Sequence, residues 1–286
     1  MSKNIGIIGG DLRILRLIEL LKKDGYNVYT YRINNIDDAT NLSSLEELFE
    51  VADYIVSGIP ISKDEKTVTS IYNTEKIYLE DIVDKMKNKT FIAGKISNKI
   101  VGLMKQNGNV VYDLMEDEVL TINNAVSTVE GTISKIISNT EKNIYESDIL
   151  ILGYGRIGKL LAERLEGFKA NVFCEARNEK DLTWIKTSGF TPIYLNDLKQ
   201  YLETIDFDVI VNTVPEIILD KKLLDLVNKK TYIVDLASKP GGLDFDYADS
   251  INLNYEWTLA VPGKVAPTSS AKYIKESLEK IIEKVD

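Results

Sequence analysis

The sequence contains no histidine. Histidine is the commonest acid–base group near neutral pH, so dehydrogenases that work a hydroxy acid with a His–carboxylate pair are excluded, and any proton transfer falls to Lys, Asp, Glu, Tyr or water. The one cysteine, Cys174, excludes an internal disulfide. Without imidazole beside it, a zinc cluster is excluded as well, so no metal site is expected. A basic surplus is also missing: 35 Lys and Arg stand against 44 Asp and Glu, a net charge of −9. No basic stripe offsets it, which sets nucleic acid aside as a partner. The start Met1-Ser-Lys-Asn4 runs into a short strand with no apolar stretch fit for a signal peptide or a membrane span; a cytoplasmic protein without a membrane partner is expected. No repeat, low-complexity tract or Gly/Ser linker interrupts the chain.

What is present centres on Asp148 to Gly158. Ile149 to Leu152 is a wholly apolar run, suited to a strand covered on both faces of a parallel sheet. Gly153, Gly155 and Gly158 follow in G-x-G-x-x-G spacing, with Tyr154, Arg156 and Ile157 between them, and Leu160, Leu161 and Leu165 continue at helical spacing. The first glycine permits a tight turn, the second lets a pyrophosphate approach the backbone, and the third lets helix pack on strand. Free N–H groups at the helix start face the anion. Ala170 to Cys174 supplies the next strand and completes a βαβ unit.

The end of that strand selects the cofactor. NAD-binding domains usually place an acid there for the ribose hydroxyls. Taking Val172 and Cys174 as inward positions sets Ala176 at that place, with Arg177 and Asn178 next. A guanidinium pairs with a 2′-phosphate, and the missing carboxylate removes a repulsive charge, so NADP is expected. A shift of one residue would instead make Glu175 the ribose ligand.

In a chain of 286 residues, 44% of them hydrophobic, there is room for two ordinary domains. Asn4 to Ile8 reads as a first strand that ends in Gly9-Gly10-Asp11 before a leucine-rich helix. The third glycine is missing there, and the Asp11 carboxylate would satisfy the N–H groups that a phosphate needs. Further strands at Val28–Tyr31, Tyr54–Ile59, Thr90–Ala93, Val110–Leu114, Asp208–Pro215 and Thr231–Ser238 alternate with helical stretches. That alternation predicts an α/β fold of two doubly wound, Rossmann-like domains with parallel sheets and a cleft between them. The expected boundaries are 1–127 for a substrate-side domain, 128–145 for a crossing helix begun by Thr128-Val-Glu-Gly131, 146–265 for the NADP-binding domain, and 266–286 for a C-terminal helix returning to the hinge or the first domain.

Several segments together resemble the dipicolinate synthase A-subunit family of endospore-forming bacteria, nearly end to end. They are Gly9-Gly-Asp-Leu-Arg13, Thr128-Val-Glu-Gly-Thr132, Gly153 to Gly158 with Ala176-Arg177, Asn212-Thr-Val-Pro215, Asp235-Leu-Ala-Ser-Lys-Pro-Gly-Gly242 followed by Asp244-Phe-Asp-Tyr-Ala248, and Pro262-Gly-Lys-Val-Ala-Pro267. Ser127, where a proline is usual, and Ser269-Ser-Ala271, where Thr-Ala-Gly is common, depart from the pattern. The resemblance implies NADP-dependent oxidation of a dihydrodipicolinate-type precursor to pyridine-2,6-dicarboxylate during sporulation. It also implies, as partner, the flavoprotein-like second chain of dipicolinate synthase, its B subunit; a homo-oligomer is compatible with it.

The implied substrate is a flat ring with two carboxylates, so cations are sought. Arg13 is the first candidate, past the end of the first strand, where it can grip a carboxylate with two parallel hydrogen bonds. Lys95 is a weaker one. Ser238 and Lys239, with Gly241 and Gly242 admitting a flat ring, follow another strand end. Asn212, Thr213, Val214 and Pro215 are expected to orient cofactor ribose or amide. Glu130 is either an early helix acid or a proton relay, and Lys264 is equally open. The residues alone also admit another two-domain NADP oxidoreductase of shikimate or amino-acid type, or a non-catalytic nicotinamide-sensing subunit.

Overall fold

The computed structural model describes residues 3–33, 39–72 and 75–285. The chain divides into two compact units, one made of Met1–Asn124 with Pro262–Asp286 and the other of Ala125–Val261.

Unit 1 opens with β1 (Asn4–Ile8), α1 (Leu12–Lys23), β2 (Asn27–Tyr31), β3 (Thr40–Leu42), α2 (Leu45–Val51) and β4 (Tyr54–Ser57). It continues with α3 (Leu79–Lys85), β5 (Thr90–Ala93), α4 (Asn98–Gln106), β6 (Val110–Asp113) and the first turns of α5 (Glu118–Asn139). Unit 2 carries the rest of α5, then β7 (Asp148–Leu152), α6 (Arg156–Gly167), β8 (Asn171–Ala176), α7 (Glu179–Thr187), β9 (Thr191–Tyr194) and α8 (Leu198–Thr204). After these come β10 (Val209–Asn212), α9 (Lys221–Leu224), β11 (Tyr232–Asp235), α10 (Phe245–Ser250) and β12 (Tyr255–Trp257). The chain closes with α11 (Val261–Val265) and α12 (Pro267–Val285), the latter packed on α1 of unit 1.

Each unit is built on one six-stranded sheet, ordered β3-β2-β1-β4-β5-β6 in unit 1 and β9-β8-β7-β10-β11-β12 in unit 2. Every pairing between these strands among the described residues is parallel. Parallel strands must be covered on both faces, and the apolar runs of β1, β4, β7, β10 and β11 satisfy that need. In unit 2, one face of the sheet packs Val129, Ile136, Leu161, Leu165 and Ile185 from α5, α6 and α7. The other packs Leu198, Leu202, Leu224 and Ala248 from α8, α9 and α10. Both sheets reverse strand order at their middle, between β1 and β4 and between β7 and β10, and open α/β sheets bind ligands beyond the strand ends at that point. Among the described residues no helix is long and apolar enough to cross a membrane.

The expected crossing helix differs in its start. It begins at Glu118, not Thr128, and ends at Asn139. Asp117 caps it, its Oδ1 accepting from the N–H groups of Val119 at 2.9 Å and Leu120 at 3.3 Å. Thr128 therefore lies in the helix interior, 8% exposed, and not at a cap.

Candidate functional site

The turn after β7 has the geometry its three glycines demand. Gly153 sits at φ +91°, and a Cβ there would stand 2.6 Å from both Thr213 Oγ1 and Val214 Cγ2. At Gly158 a Cβ would come 2.1 Å from the Gly153 carbonyl oxygen, so helix and strand approach too closely for any side chain. Gly155, by contrast, faces open space. It is the N-cap of α6 and offers no side-chain cap to the helix start. A glycine that meets nothing, before an uncapped helix start, is a cradle suited to a phosphate. Tyr154 is buried, with the Lys159 ammonium 5.4 Å over its ring, whereas Arg156 is exposed and Ile157 half-buried.

Beside the turn, Thr213 donates from its N–H to Leu152 O at 3.0 Å, and its hydroxyl donates to the same oxygen at 2.9 Å. Asn212 is fully buried: its Nδ2 donates to Asp235 Oδ1 at 2.8 Å and to Val214 O at 3.0 Å, and its Oδ1 accepts from Val214 N at 3.2 Å. Pro215 is exposed. Asn212 and Thr213 thus spend their polar groups on fixing the 212–214 turn against Gly153. Asp235, which sequence reasoning passed over, is the hub of this arrangement. Fully buried, it also accepts from Ala237 N at 2.8 Å and Gly242 N at 2.7 Å, fastening the turn after β11.

That turn presents Ser238 and Lys239 to solvent. Its glycines answer to internal contacts: a Cβ at Gly241, where φ is +88°, would meet the Phe245 ring at 2.6 Å, and one at Gly242 would meet Asn212 Nδ2 at 2.1 Å. Phe245 in turn stacks on Trp257 with centroids 4.6 Å apart, and the indole N–H donates to Ala237 O at 2.8 Å.

At the end of β8, Val172, Cys174 and Ala176 share one face and belong to one core cluster. Ala176 ends the strand, and exposed Arg177 follows it, its Nη1 3.1 Å from Glu216 Oε2. Asn178 caps α7, accepting from Asp181 N at 2.9 Å and donating to Asp181 Oδ2 at 2.8 Å. Glu175 points to the opposite face from Ala176. It is 1% exposed, its Oε2 accepts from Gly153 N at 3.1 Å, and its Oε1 has no partner. Burial pushes its carboxyl above the usual glutamate value, against the lowering pull of the Gly153 hydrogen bond and of Arg177. Burial likewise pushes the Cys174 thiol far up, which keeps it an inert hydrophobe.

Glu130 is set apart from these groups. It is exposed on α5 and lines an open groove of about 490 Å³ with Ile133, Arg164, Gly167 and Phe168. Gly167 ends α6, so the groove lies roughly one helix length, about 18 Å by helical rise, from the glycine turn. A relay role for Glu130 at the turn has no geometric support.

In unit 1 the corresponding position is filled by protein. Gly10 N donates to Thr69 O at 2.7 Å, and a Cβ at Gly9 would stand 2.6 Å from Val68 Cγ1. Asp11 caps α1, its Oδ1 accepting from Arg13 N at 3.0 Å. Arg13 is 4% exposed and already gripped: Nε lies 2.9 Å from Asp11 Oδ1, Nη2 lies 2.7 Å from Asp11 Oδ2, and Nη2 also donates to Ile59 O. Lys95 is exposed at the end of β5 with φ +57°, a conformation unusual outside glycine. Asp113 holds it there, accepting from Lys95 N at 2.9 Å and Ile96 N at 2.7 Å. Lys264 is exposed on α11.

Comparison with known proteins covers both units. Residues 4–115 match the N-terminal domain of the dipicolinate synthase A subunit, and residues 118–239 match the NAD-binding domain of D-isomer-specific 2-hydroxyacid dehydrogenases. The second match is to a coenzyme-binding domain; with no histidine, this chain has no imidazole for acid–base work. The crystal structure of the dipicolinate synthase A chain from Bacillus subtilis superposes with a TM-score of 0.88 at 28% identity, covering 100% of this chain and 97% of that one. The dipicolinate synthase A subunit from Bacillus halodurans gives 0.88 at 29% identity, over 98% and 97% of the two chains. A transhydrogenase from Sinorhizobium meliloti, at 12% identity and a TM-score of 0.69, shares the fold alone. The dipicolinate synthase A subunit of Bacillus subtilis (strain 168) is 30% identical over 98% of this chain and 96% of its own length; with one segment matching this family's N-terminal domain and the other a nicotinamide-dinucleotide fold, the chain belongs to the dipicolinate synthase A-subunit family.

Proposed function

We propose that this chain oxidises a dihydrodipicolinate-type precursor to pyridine-2,6-dicarboxylate with NADP, in company with the flavoprotein-like B subunit. The observation that carries the choice of NADP is the end of β8, where Ala176 stands in place of a carboxylate and Arg177 follows. The Arg177–Glu216 pair is exposed on both sides, 61% and 67%. Such surface pairs contribute about 0–1 kcal/mol, so a 2′-phosphate can displace the glutamate and take the guanidinium. The backbone of Gly155 and the start of α6 would hold the pyrophosphate.

NADP, when bound, supplies the hydride acceptor. The substrate loses a hydride and a proton and becomes aromatic, so product stability provides driving force and the protein is asked chiefly to position the ring. Within unit 1, taken by itself, Lys95 is better suited than Arg13 to a carboxylate, reversing the order expected from sequence. The Lys95 ammonium is exposed, and Asp113 holds its backbone rather than its charge. The Arg13 guanidinium is already neutralised by Asp11, which suits it to shaping the strand-end loop through Ile59. Ser238 and Lys239 are the exposed polar groups after β11 suited to a carboxylate.

A second reading has one observation in its favour. Glu216, paired with Arg177 next to the end of β8 in sequence, could itself accept from the ribose hydroxyls of NAD. Turnover of freshly prepared dihydrodipicolinate by the purified protein, followed as nicotinamide reduction with NADP and with NAD, separates the two. Preference for NADP, lost on Arg177→Ala with NAD rates unchanged, supports the proposal. A preference for NAD that falls with Glu216→Gln supports the second reading. Binding without turnover even with the B subunit present, or turnover of a different acid only, overturns the proposed reaction.

A further inference from the structure

The buried carboxyl behind the glycine turn has no part in holding the cofactor by the reading above, yet it touches the turn's first residue. Glu175 lies 1% exposed between fully buried Leu152 and Ile193 on the neighbouring strands. Its face of the sheet is lined with Leu150, Leu198 and Ile210. The Thr213 hydroxyl of the adjoining turn is committed to Leu152 O. Among the described residues Arg177 is the one charged group that acts on Glu175, and its guanidinium is drawn to Glu216. One carboxyl oxygen holds Gly153 N–H and the other holds nothing. An ionised carboxylate in such a place lacks the several donors that normally sustain one. A pyrophosphate arriving on the far side of the same turn adds negative charge nearby and opposes ionisation further.

We infer that Glu175 is a positioning residue: the dinucleotide binds the form of the protein in which this carboxyl is protonated, and binding takes up a proton there. The Gly153 N–H is shared between this carboxyl and the Glu175 backbone carbonyl at 3.2 Å, and the neutral acid adds to that hold without placing a like charge beneath the phosphates. The direction of the Glu175 shift agrees with this. The inference rests on the dinucleotide reading of unit 2.

The chain is suited to the measurement, because it has no histidine to titrate between about pH 5 and 8 and its one thiol is pushed out of that range. Affinity for NADP is measured across that range and to higher pH for the native protein and for Glu175→Gln. Both proteins meet the same ionisation of the ligand, so the difference between the curves isolates the side chain. Native affinity should fall with rising pH by up to about tenfold per unit, the limit for one linked proton, while Glu175→Gln binds with a smaller slope and more tightly at high pH. Equal slopes overturn the inference. Calorimetry of the native protein in buffers of different ionisation enthalpy gives a second readout that needs no variant: proton uptake on binding supports the inference, and none overturns it. Absence of NADP and NAD binding at every pH removes the cofactor reading itself, and is distinct from binding without a proton.

Discussion

A methyl group at Gly158 would press on the Gly153 carbonyl oxygen at 2.1 Å, and that oxygen belongs to backbone, so it has little room to give. Gly158→Ala should therefore cost about 1–3 kcal/mol, the usual range for overpacking, and weaken dinucleotide binding as the turn shifts. Urea unfolding with and without NADP checks both. Glu175 acts on stability through pH as well. Its carboxyl is neutral in the fold at pH values where the unfolded chain ionises, so stability is full below the ordinary glutamate range and is lost as pH climbs towards the raised value. Glu175→Gln removes that slope. The sequence left Ala176 and Glu175 as rivals because a shift of one residue exchanges the faces of a strand. Cys174 and Ala176 share one core cluster and Glu175 lies on the other face, a division that spacing alone does not show. Asp235 escaped notice for a related reason: its partners at 212, 237 and 242 meet only after β10 and β11 pair.

Among the elements, the turn after β11 depends most on a single side chain. Asp235→Ala would leave Ala237 N, Gly242 N and one of the two Asn212 Nδ2 hydrogens without an acceptor in a buried setting, the other keeping Val214 O. At about 1–3 kcal/mol for each buried unpaired group, a loss of at least about 3 kcal/mol is expected. Faster amide exchange through 236–242 would locate it, and an unchanged exchange pattern would contradict it. The strands that carry motifs were legible because β7, β10 and β11 are apolar runs ended by polar or glycine residues. Edge strands β3 and β12, three residues each and partly exposed, leave no periodic trace. The start of α5 was hidden differently. Thr121, Asn124, Ser127 and Thr128 are polar yet buried, so the helical stripe reads as loop until the packing is seen. Local hydrogen bonds make this tolerable, as where the Thr121 hydroxyl donates to Glu118 O at 2.9 Å and that of Thr132 to Thr128 O at 2.8 Å.

Across the whole molecule, one strand order is used twice with different fates for the glycine turn after the first strand. In unit 2 the second glycine faces open space; in unit 1 the residues around Val68 and Thr69 lie against Gly9 and Gly10. Ligand binding stabilises the state that binds, by about 2.7 kcal/mol at a hundredfold excess over the dissociation constant. NADP should accordingly slow hydrogen exchange in β7, α6 and β8 and leave β1 and α1 unchanged by direct contact. Equal protection of β1 and α1 would contradict a cofactor site confined to unit 2. The covered turn has its own consequence. A segment of the same polypeptide fills in one half the place left open in the other, so the first turn is set as the chain folds, while the second stays accessible from outside.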